Sequence, residues 1–398
     1  MARFLLTWEL GGNLGHAAHL RRLAAEFKRH GHDLVFAVKD LAGVRSLLGS
    51  DFGPTLQAPL FLHAAGAQSW TLADVLQDCG YRTTETLASL AEAWKALIQM
   101  SGCDVVIADH SPTALLGARL AGKAAVNVGH GFFVPPDQVP LPVFRDWVPV
   151  AASHAEESDA RTLRNVNQVL ELHSAAPLQR LSQLFHPERT VVSTWPETDI
   201  YAASSRPAGV YYGPGLASLG GQKPAWPDCG GPRVFAYMRA AWPDHVQILN
   251  ALDVLGCATL CYMPDRQQGI DPVASSRISY AAGLVDVEQA LCGCALVINH
   301  SGHGTVWQAL RGGIPQLLLP AQTEQFLLAR TVERNGAGIN AVGRRAPVNY
   351  RDLIGELVQP NNRYAAAART LADKYREFHP SHAARAVVSA AEELAGRR

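Results

Sequence analysis

A cluster of small and polar residues with the chemistry of a phosphate site begins at His300, directly after the apolar stretch 295–298. That stretch has the length of a buried parallel strand, and helical spacing resumes at Thr305. A helix that starts just after a strand presents free N–H groups and the positive end of its dipole, and both favour a phosphate. Gly302 and Gly304 allow the backbone to approach a ligand closely. With the His300 imidazole and the Thr305 hydroxyl as further hydrogen-bond donors, we expect this turn to bind a phosphate.

A second polar pair, Glu324 and Gln325, follows the next short predicted strand and is placed in a loop. A carboxylate beside an amide offers the acceptors and donors that the hydroxyls of a sugar need. We therefore expect these two residues to contact a sugar. Alternatively, the segment 295–325 is a strand, turn and helix of some other doubly wound domain, and His300 has no role in binding.

The two clusters resemble the nucleotide-sugar site of the UDP-glycosyltransferase superfamily, which consists of metal-independent inverting enzymes with the GT-B fold. Plant members carry HCGWNS followed by an acidic residue and Gln, and many bacterial antibiotic glycosyltransferases carry HHGGAGT and then DQ. This chain has NHSGHGT at 299–305 and EQ at 324–325, with ALRGGIPQLLLP between them. The resemblance implies that His300 and Thr305 bind the donor diphosphate and that the EQ pair reads the donor sugar.

The resemblance also assigns a catalytic base to the first turn of the chain, where His16 falls on the family's base. Asp109, at the end of the predicted strand 105–108, falls on the carboxylate that orients this base. A sugar acceptor hydroxyl is a poor nucleophile at neutral pH, and an imidazole within reach can take its proton. The carboxylate would stabilise the resulting imidazolium. Taken singly, His16 also fits a structural role at a helix start, and Asp109 fits the cap of the next helix.

Three further residues are assigned to the donor by the resemblance alone. Arg239 lies in the first loop of the second half, which faces the donor phosphates in the family, although the usual Gly-Ser of that loop is missing. Many relatives stack a Trp on the base, and Leu284 stands at that position here. We expect Leu284 and Val285 to contact the nucleoside, with uracil and thymine both open.

An acceptor pocket is expected around the loop 129–136, which follows the predicted strand 124–128. Open α/β sheets bind ligands at the carboxyl ends of their strands. The candidate lining residues are His130, Phe132, Phe133 and Trp147. A Pro-rich loop packed by its own aromatic side chains explains the same residues equally well.

Alternating strands and helices in both halves must position these residues, which predicts an α/β protein. With the resemblance, we expect the GT-B fold: two Rossmann-like domains facing across a cleft, with the C-terminal helix crossing back to the N-terminal domain. The predicted parts are an acceptor domain at 1–205, a Gly/Pro-rich linker at 206–232, a nucleotide-sugar domain at 233–378 and the crossover helix at 379–398. The first turn lacks the GxGxxG fingerprint, so NAD binding is disfavoured.

Composition excludes several other classes. The 398 residues contain 35 Lys and Arg and 35 Asp and Glu, so the net charge is zero and no basic surface for nucleic acid is predicted. No apolar run has the length of a membrane span, although peripheral membrane contact stays open. The first apolar run is too short for a signal peptide, and the seven cysteines show no CxxC spacing. We expect a cytoplasmic protein with reduced thiols, no metal site and an undetermined oligomeric state.

The expected activity is metal-independent, inverting transfer of a hexose-type sugar from a UDP- or dTDP-sugar to a hydroxyl of a small-molecule, lipid or peptide acceptor. The nucleoside diphosphate sugar would be a co-substrate, and no cofactor is expected. A GT-B epimerase or hydrolase is an alternative, but it would need acid and base groups around the second carbon of the sugar. A catalytically silent auxiliary homologue is another, although such proteins typically lose the base or the donor motif, and both are present here.

Overall fold

A computed structural model describes residues 1–12, 14–48, 51–62, 69–145, 147, 152–201, 205–215, 220–267, 269–344 and 347–396 of the chain. It divides into two compact units, Met1–Gly215 with Pro380–Arg398, and Leu216–His379. Of the predicted linker, residues 206–215 belong to the first unit and 220–232 to the second, while 216–219 lie outside the described residues.

The first unit alternates strands with helices. Its strands are β1 (Arg3–Trp8), β2 (Asp33–Val38), β3 (Thr55–Gln57), β4 (Val105–Asp109), β5 (Ala124–Gly129) and β6 (Arg189–Val192). Its helices before residue 200 are α1 (Leu14–Arg29), α2 (Leu41–Leu48), α3 (Leu72–Leu76), α4 (Thr84–Ser101), α5 (Pro112–Leu120) and α6 (Ala152–Leu172). A π-helical turn spans Gln77–Tyr81, and 3₁₀ turns span Leu181–Leu184 and Pro196–Thr198.

The strands of the first unit form one parallel sheet in the order β3-β2-β1-β4-β5-β6. The strands are almost continuously apolar and buried, because helices cover both faces of such a sheet. The strand order reverses between β1 and β4, where Trp8 pairs with Asp109. Ligands bind beyond the carboxyl ends of the strands at such a switch point. The fold therefore places the ends of β1 and β4 where a ligand is expected.

The second unit repeats this arrangement. Its strands are β7 (Arg233–Tyr237), β8 (Ala258–Tyr262), β9 (Ile278–Tyr280), β10 (Leu296–Asn299), β11 (Gln316–Leu318) and β12 (Gly338–Asn340). Its helices are α7 (His245–Val254), α8 (Val287–Leu291), α9 (His303–Arg311), α10 (Thr323–Arg334), α11 (Tyr350–Val358) and α12 (Arg363–Lys374). The parallel sheet has the order β12-β11-β10-β7-β8-β9, and its order reverses between β7 and β10, where Tyr237 pairs with Asn299.

The last helix, α13 (His382–Ala395), returns to the first unit. Its apolar face, formed by Ala384, Val387, Val388 and Ala391, is buried in the same core as Leu20 and Phe27 of α1. The spacing of these residues gives one stripe along the helix, which needs an apolar partner. This confirms the predicted crossover helix.

Several element bounds differ from the sequence-based expectations. Helix α9 begins at His303 rather than Thr305, because Ser301 at φ 62° turns the chain immediately after β10 and Gly302 is the N-cap. Helix α10 begins at Thr323, so Glu324 and Gln325 lie in its first turn and not in a loop. No described helix combines the length and the apolar character that a membrane crossing requires.

Candidate functional site

The first unit brings His16 of α1 and Asp109 of β4 together at the switch point of its sheet. His16 Nδ1 lies 3.2 Å from Asp109 Oδ1, and both side chains are buried. An ionised carboxylate can only accept, so the imidazole donates from Nδ1 and its lone pair is on Nε2. The N-cap of α5 is Ser111, so the Asp109 side chain holds an imidazole instead of capping that helix. This arrangement can orient a base.

A second imidazole shares the same carboxylate. His19 lies one turn after His16 on α1, and its Nδ1 is 3.1 Å from Asp109 Oδ2. Residues three apart on a helix lie on one face, which lets both rings reach a single side chain. Each oxygen of Asp109 therefore has its own imidazole.

The two imidazoles determine the charge of this carboxyl. Asp109 is only 2% exposed, and burial by itself would raise its pKa. The charges of His16 and His19 and the hydrogen bonds from both rings outweigh burial and hold the pKa of Asp109 well below its usual range. Asp109 therefore carries its negative charge throughout the physiological pH range.

Aromatic rings pack around His16 and fix its plane. The indole of Trp8 stacks on the imidazole at 5.2 Å, and the ring of Phe133 lies 5.0 Å away. A Cβ on Gly11, at φ 78°, would lie only 2.7 Å from His16 Nε2 and 3.1 Å from His110 Nδ1. Only glycine leaves room beside this nitrogen and adopts that backbone conformation without strain.

The residues predicted to contact an acceptor fall into two groups. His130, Phe132 and Phe133 are buried in the loop after β5, where Phe133 packs on His130 at 3.9 Å and Phe132 packs on Phe144 at 4.8 Å. The loop is packed by its own aromatic rings, yet Phe133 also contacts His16. Trp147 instead has a side chain that is 38% exposed.

In the second unit, His300 follows β10 at the corresponding switch point. Burial lowers the pKa of His300 to about 4, and the nearby charge of Arg239 adds to this effect. Its ring lies 4.6 Å from the ring of Tyr237 in an edge contact, and its Nδ1 is buried with no hydrogen-bond partner among the described residues. A neutral imidazole with an unsatisfied buried nitrogen is a group that a ligand could pair with.

The start of α9 is open beside His300. Gly302 is the N-cap and no side chain caps the helix, while a Cβ on Gly304 would meet nothing within 4 Å. Thr305 is buried in the first turn. The first N–H groups of a helix need partners from outside it, and an anion is a suitable one. The geometry of this turn can accommodate a phosphate group.

Two buried polar side chains, Asn299 and Gln316, fix this turn by hydrogen bonds. Asn299 Nδ2 donates to Gln316 Oε1 at 2.9 Å, and Gln316 Nε2 donates to the carbonyl of Val306 in α9 at 3.2 Å. Asn299 Oδ1 also accepts from the amide of Ser301 at 2.7 Å. The pair therefore ties β10 and β11 to the start of α9, and sequence reasoning missed it although both polar residues interrupt apolar strands.

The loop after β7 is held by an acid of the same unit. The amides of Ala240 and Ala241 donate to Asp265 at 2.8 and 3.1 Å. These two amides are thus already paired. Arg239 is exposed, and its charge acts on His300. Arg239 thus supplies a positive charge in this loop.

The pair predicted to read the sugar lies at the start of α10. Glu324 Oε1 is 3.2 Å from Nδ1 of His303, the first residue of α9. Gln325 Oε1 accepts from the amide of Ala321 at 3.0 Å. Both side chains are therefore oriented by their surroundings, and His303 is a neighbour that sequence reasoning did not identify.

The two residues predicted to contact the nucleoside lie between β9 and α8. Val285 is buried in the core, and the segment around Gln222 pairs with it as an isolated parallel bridge. The carbonyl of Leu284 accepts from the amide of Gln222 at 2.8 Å. The bridge thus uses the carbonyl of Leu284 and the amide of Asp286, and it does not involve the amide or the carbonyl of Val285.

One cluster of possible metal ligands appears among the described residues of the first unit. His30 Nδ1 and His32 Nε2 lie 3.0 and 2.8 Å from Glu392 Oε1 on α13. Both imidazoles already have this carboxylate as a hydrogen-bond partner. The cluster is explained as a polar contact that helps to hold α13.

Comparisons with known proteins identify the fold and its relatives. Residues 277–390 match the family model described as Erythromycin biosynthesis protein CIII-like, C-terminal domain. The elloramycin glycosyltransferase ElmGT of Streptomyces olivaceus is 37% identical over 85 residues, which is 21% of this chain and 21% of that protein. The glycosyltransferase GtfE of Amycolatopsis orientalis is 27% identical over 359 residues, which is 82% of this chain and 83% of that protein.

One solved structure has a similar fold over almost the whole chain. The spinosyn rhamnosyltransferase SpnG, complexed with thymidine diphosphate, superimposes with a TM-score of 0.70 at 19% identity and covers 97% of this chain and 100% of its own. The predicted resemblance is confirmed. The chain has the GT-B fold, its residues 277–390 match the EryCIII-like C-terminal domain model, and the similar proteins are bacterial natural-product glycosyltransferases.

Proposed function

We propose that this protein is an inverting glycosyltransferase that needs no metal ion and transfers a hexose-type sugar from a nucleoside diphosphate sugar to an acceptor hydroxyl. The observation that carries the proposal is the buried contact of His16 Nδ1 with Asp109 Oδ1 at 3.2 Å. This contact lies at the switch point of a sheet, where a substrate is expected. The glycosyltransferase relatives support the class of reaction.

In the proposed reaction, His16 Nε2 takes the proton of the acceptor hydroxyl as its oxygen attacks the anomeric carbon. The bond from that carbon to the diphosphate breaks, so the configuration inverts and the nucleoside diphosphate leaves. Asp109 stabilises the imidazolium that forms, and the donated Nδ1–H keeps the ring oriented. The charge of Asp109 is available for this at neutral pH because its pKa is held low.

The second unit would bind the donor. The open start of α9, the Thr305 hydroxyl and the neutral His300 ring would donate hydrogen bonds to the diphosphate as negative charge develops on it, and Arg239 would add a positive charge. Glu324 and Gln325 would bind the hydroxyls of the sugar. Leu284 and Val285 would contact the nucleoside.

The donor nucleotide is proposed to be dTDP rather than UDP, because SpnG was solved with thymidine diphosphate. For the acceptor, the ring of Phe133 beside His16, with Phe132 packed against Phe133, favours an apolar surface next to the reacting hydroxyl. Small-molecule acceptors are therefore preferred over peptides. ElmGT, a relative named for elloramycin, supports the same class of acceptor.

The test combines donor binding with transfer. Calorimetry with dTDP, UDP and GDP identifies the nucleotide, and transfer to a panel of aromatic and macrocyclic alcohols is followed by release of the diphosphate. The anomeric coupling constant of the product reports inversion. We expect dTDP to bind most tightly and His16→Ala to abolish transfer while keeping dTDP affinity. His154→Ala, at an exposed histidine of the same unit, is the matched control. Transfer by His16→Ala at the rate of the unmodified protein would reject the assigned base.

A further inference from the structure

We infer that His19 is a positioning residue that orients Asp109 and sets the basicity of His16. The inference rests on the proposed function. It begins with the two oxygens of Asp109, each of which has one imidazole Nδ1 within hydrogen-bond distance, at 3.2 Å for His16 and 3.1 Å for His19. None of the family motifs that identify the site includes His19.

The hydrogen bond from His19 fixes the carboxylate in one plane. Asp109 is 2% exposed at the end of β4, where solvent does not compete for its oxygens. With Oδ2 engaged by His19, rotation of the carboxylate would break one bond or both. Oδ1 is thereby kept directed at His16. A carboxylate that is held in place does not have to reorganise when His16 takes a proton.

The charges around the pair determine which ring takes that proton. One carboxylate can balance only one imidazolium in a buried site. Arg22 lies on the same face of α1, and a Cβ on Gly215 would be 2.8 Å from Arg22 Nη1 and 3.3 Å from His19 Cδ2. Within the described part of the chain, the terminal nitrogens of Arg22 are buried without a hydrogen-bond partner.

Among the described residues, His110 is a further titratable group near His16, and its ring in the loop after β4 lies 5.8 Å from the His16 ring. Arg22 is a cation on the side of His19, so the positive charge that develops during transfer is better placed on the side of His16. In the inferred arrangement His19 donates to Oδ2, while His16 accepts the proton during transfer. By donating to Oδ2, His19 also withdraws charge from the carboxylate, which weakens the stabilisation that Asp109 gives to the His16 imidazolium.

The matched variants are His19→Asn and His19→Ala. The amide nitrogen of Asn is as many bonds from Cα as Nδ1 of His, so it can donate to Oδ2 but cannot be protonated. We expect His19→Ala to lower kcat roughly tenfold to hundredfold, the equivalent of one hydrogen bond to a charged group. In its pH profile of kcat/KM, the midpoint of the acidic limb should shift to a higher pH by roughly one unit. The reason is that Asp109 then stabilises the His16 imidazolium more strongly. The donor KM should stay constant, and His19→Asn should restore both properties.

A second readout does not need transfer. Titration of ¹³C-labelled imidazoles by NMR, with His16→Ala to assign the signal, gives the pKa of His16 directly. We expect that pKa to rise in His19→Ala and to return in His19→Asn. An unchanged pKa of His16 in a folded His19→Ala protein would overturn the inference, and so would a His19→Asn protein that behaves like His19→Ala. If the unmodified protein transfers no sugar but the pKa shift is observed, the proposed function fails and the coupling of the two histidines stands.

Discussion

Replacing Asp109 with Asn tests the proposed base most directly. At neutral pH the carboxylate is charged, and the imidazolium formed on His16 would lie 3.2 Å from it. Two unit charges at that distance interact by about 5 kcal/mol at an effective dielectric constant of about 20. That energy corresponds to nearly four powers of ten in rate, at the upper end of the roughly 10²- to 10⁴-fold that a positioned base contributes. We expect Asp109→Asn to lower kcat by a factor within that range.

The assay is steady-state transfer at saturating donor and acceptor, with dTDP release as the signal. Calorimetry of dTDP binding should give the same affinity as the unmodified protein, because the donor residues belong to the second unit. Asp104→Asn is the matched control, since Asp104 immediately precedes β4 at its opposite end and accepts from the backbone amide of Arg3. A folded Asp109→Asn protein that keeps more than a tenth of the original kcat would refute the electrostatic reasoning.

Three further outcomes are expected. Gly11→Ala should lower kcat at least tenfold, since its Cβ would lie 2.7 Å from His16 Nε2, whereas Gly12→Ala has no atom within 4 Å of its Cβ and should be active. Burial raises the pKa of Glu9 from 4.5 to about 7, so its contribution to stability is complete below pH 4.5 and is lost as the pH rises through 7. The free energy of unfolding should therefore fall by about 3 kcal/mol over this pH range. In urea unfolding between pH 5 and pH 8, the Glu9→Gln variant should not show this fall. His300→Ala should weaken dTDP binding about tenfold by calorimetry, the loss of one buried hydrogen bond, and equal affinity would exclude the residue from the donor site.

The fold could be predicted because its markers are local in the chain. The turn that begins at His300 needs a strand before it and a helix after it, and both can be recognised within about fifteen residues. The residues at which the helices begin were less predictable. Helix α9 begins two residues before Thr305 because of the left-handed conformation of Ser301, a residue type that rarely adopts it. Likewise, Glu324 was placed in a loop, although an acidic residue is typical of the first turn of a helix.

The candidate site was predicted only in part. His16 and Asp109 were paired through their motif positions, and the structure places their side chains in contact. His19 carried no comparable signal, although it lies one helical turn from His16. The stacking of Trp8 on His16 depends on where α1 begins. These contacts join residues through space, so no window of sequence contains them.

The sequence by itself determined the two α/β halves and the candidates for the proposed chemistry: a turn suited to a phosphate, and a histidine with its carboxylate. Residue types and local spacing are sufficient for these features, because hydrogen-bonding capacity and helix or strand periodicity belong to short segments. The tertiary structure determined the orientation and the charge of these groups. Parallel pairing of β1 with β4 places Trp8 opposite Asp109, and α1 then directs two imidazoles at one buried carboxylate. The charge of such a group depends on burial and on neighbours 90 residues away in the chain, and only folding brings these together.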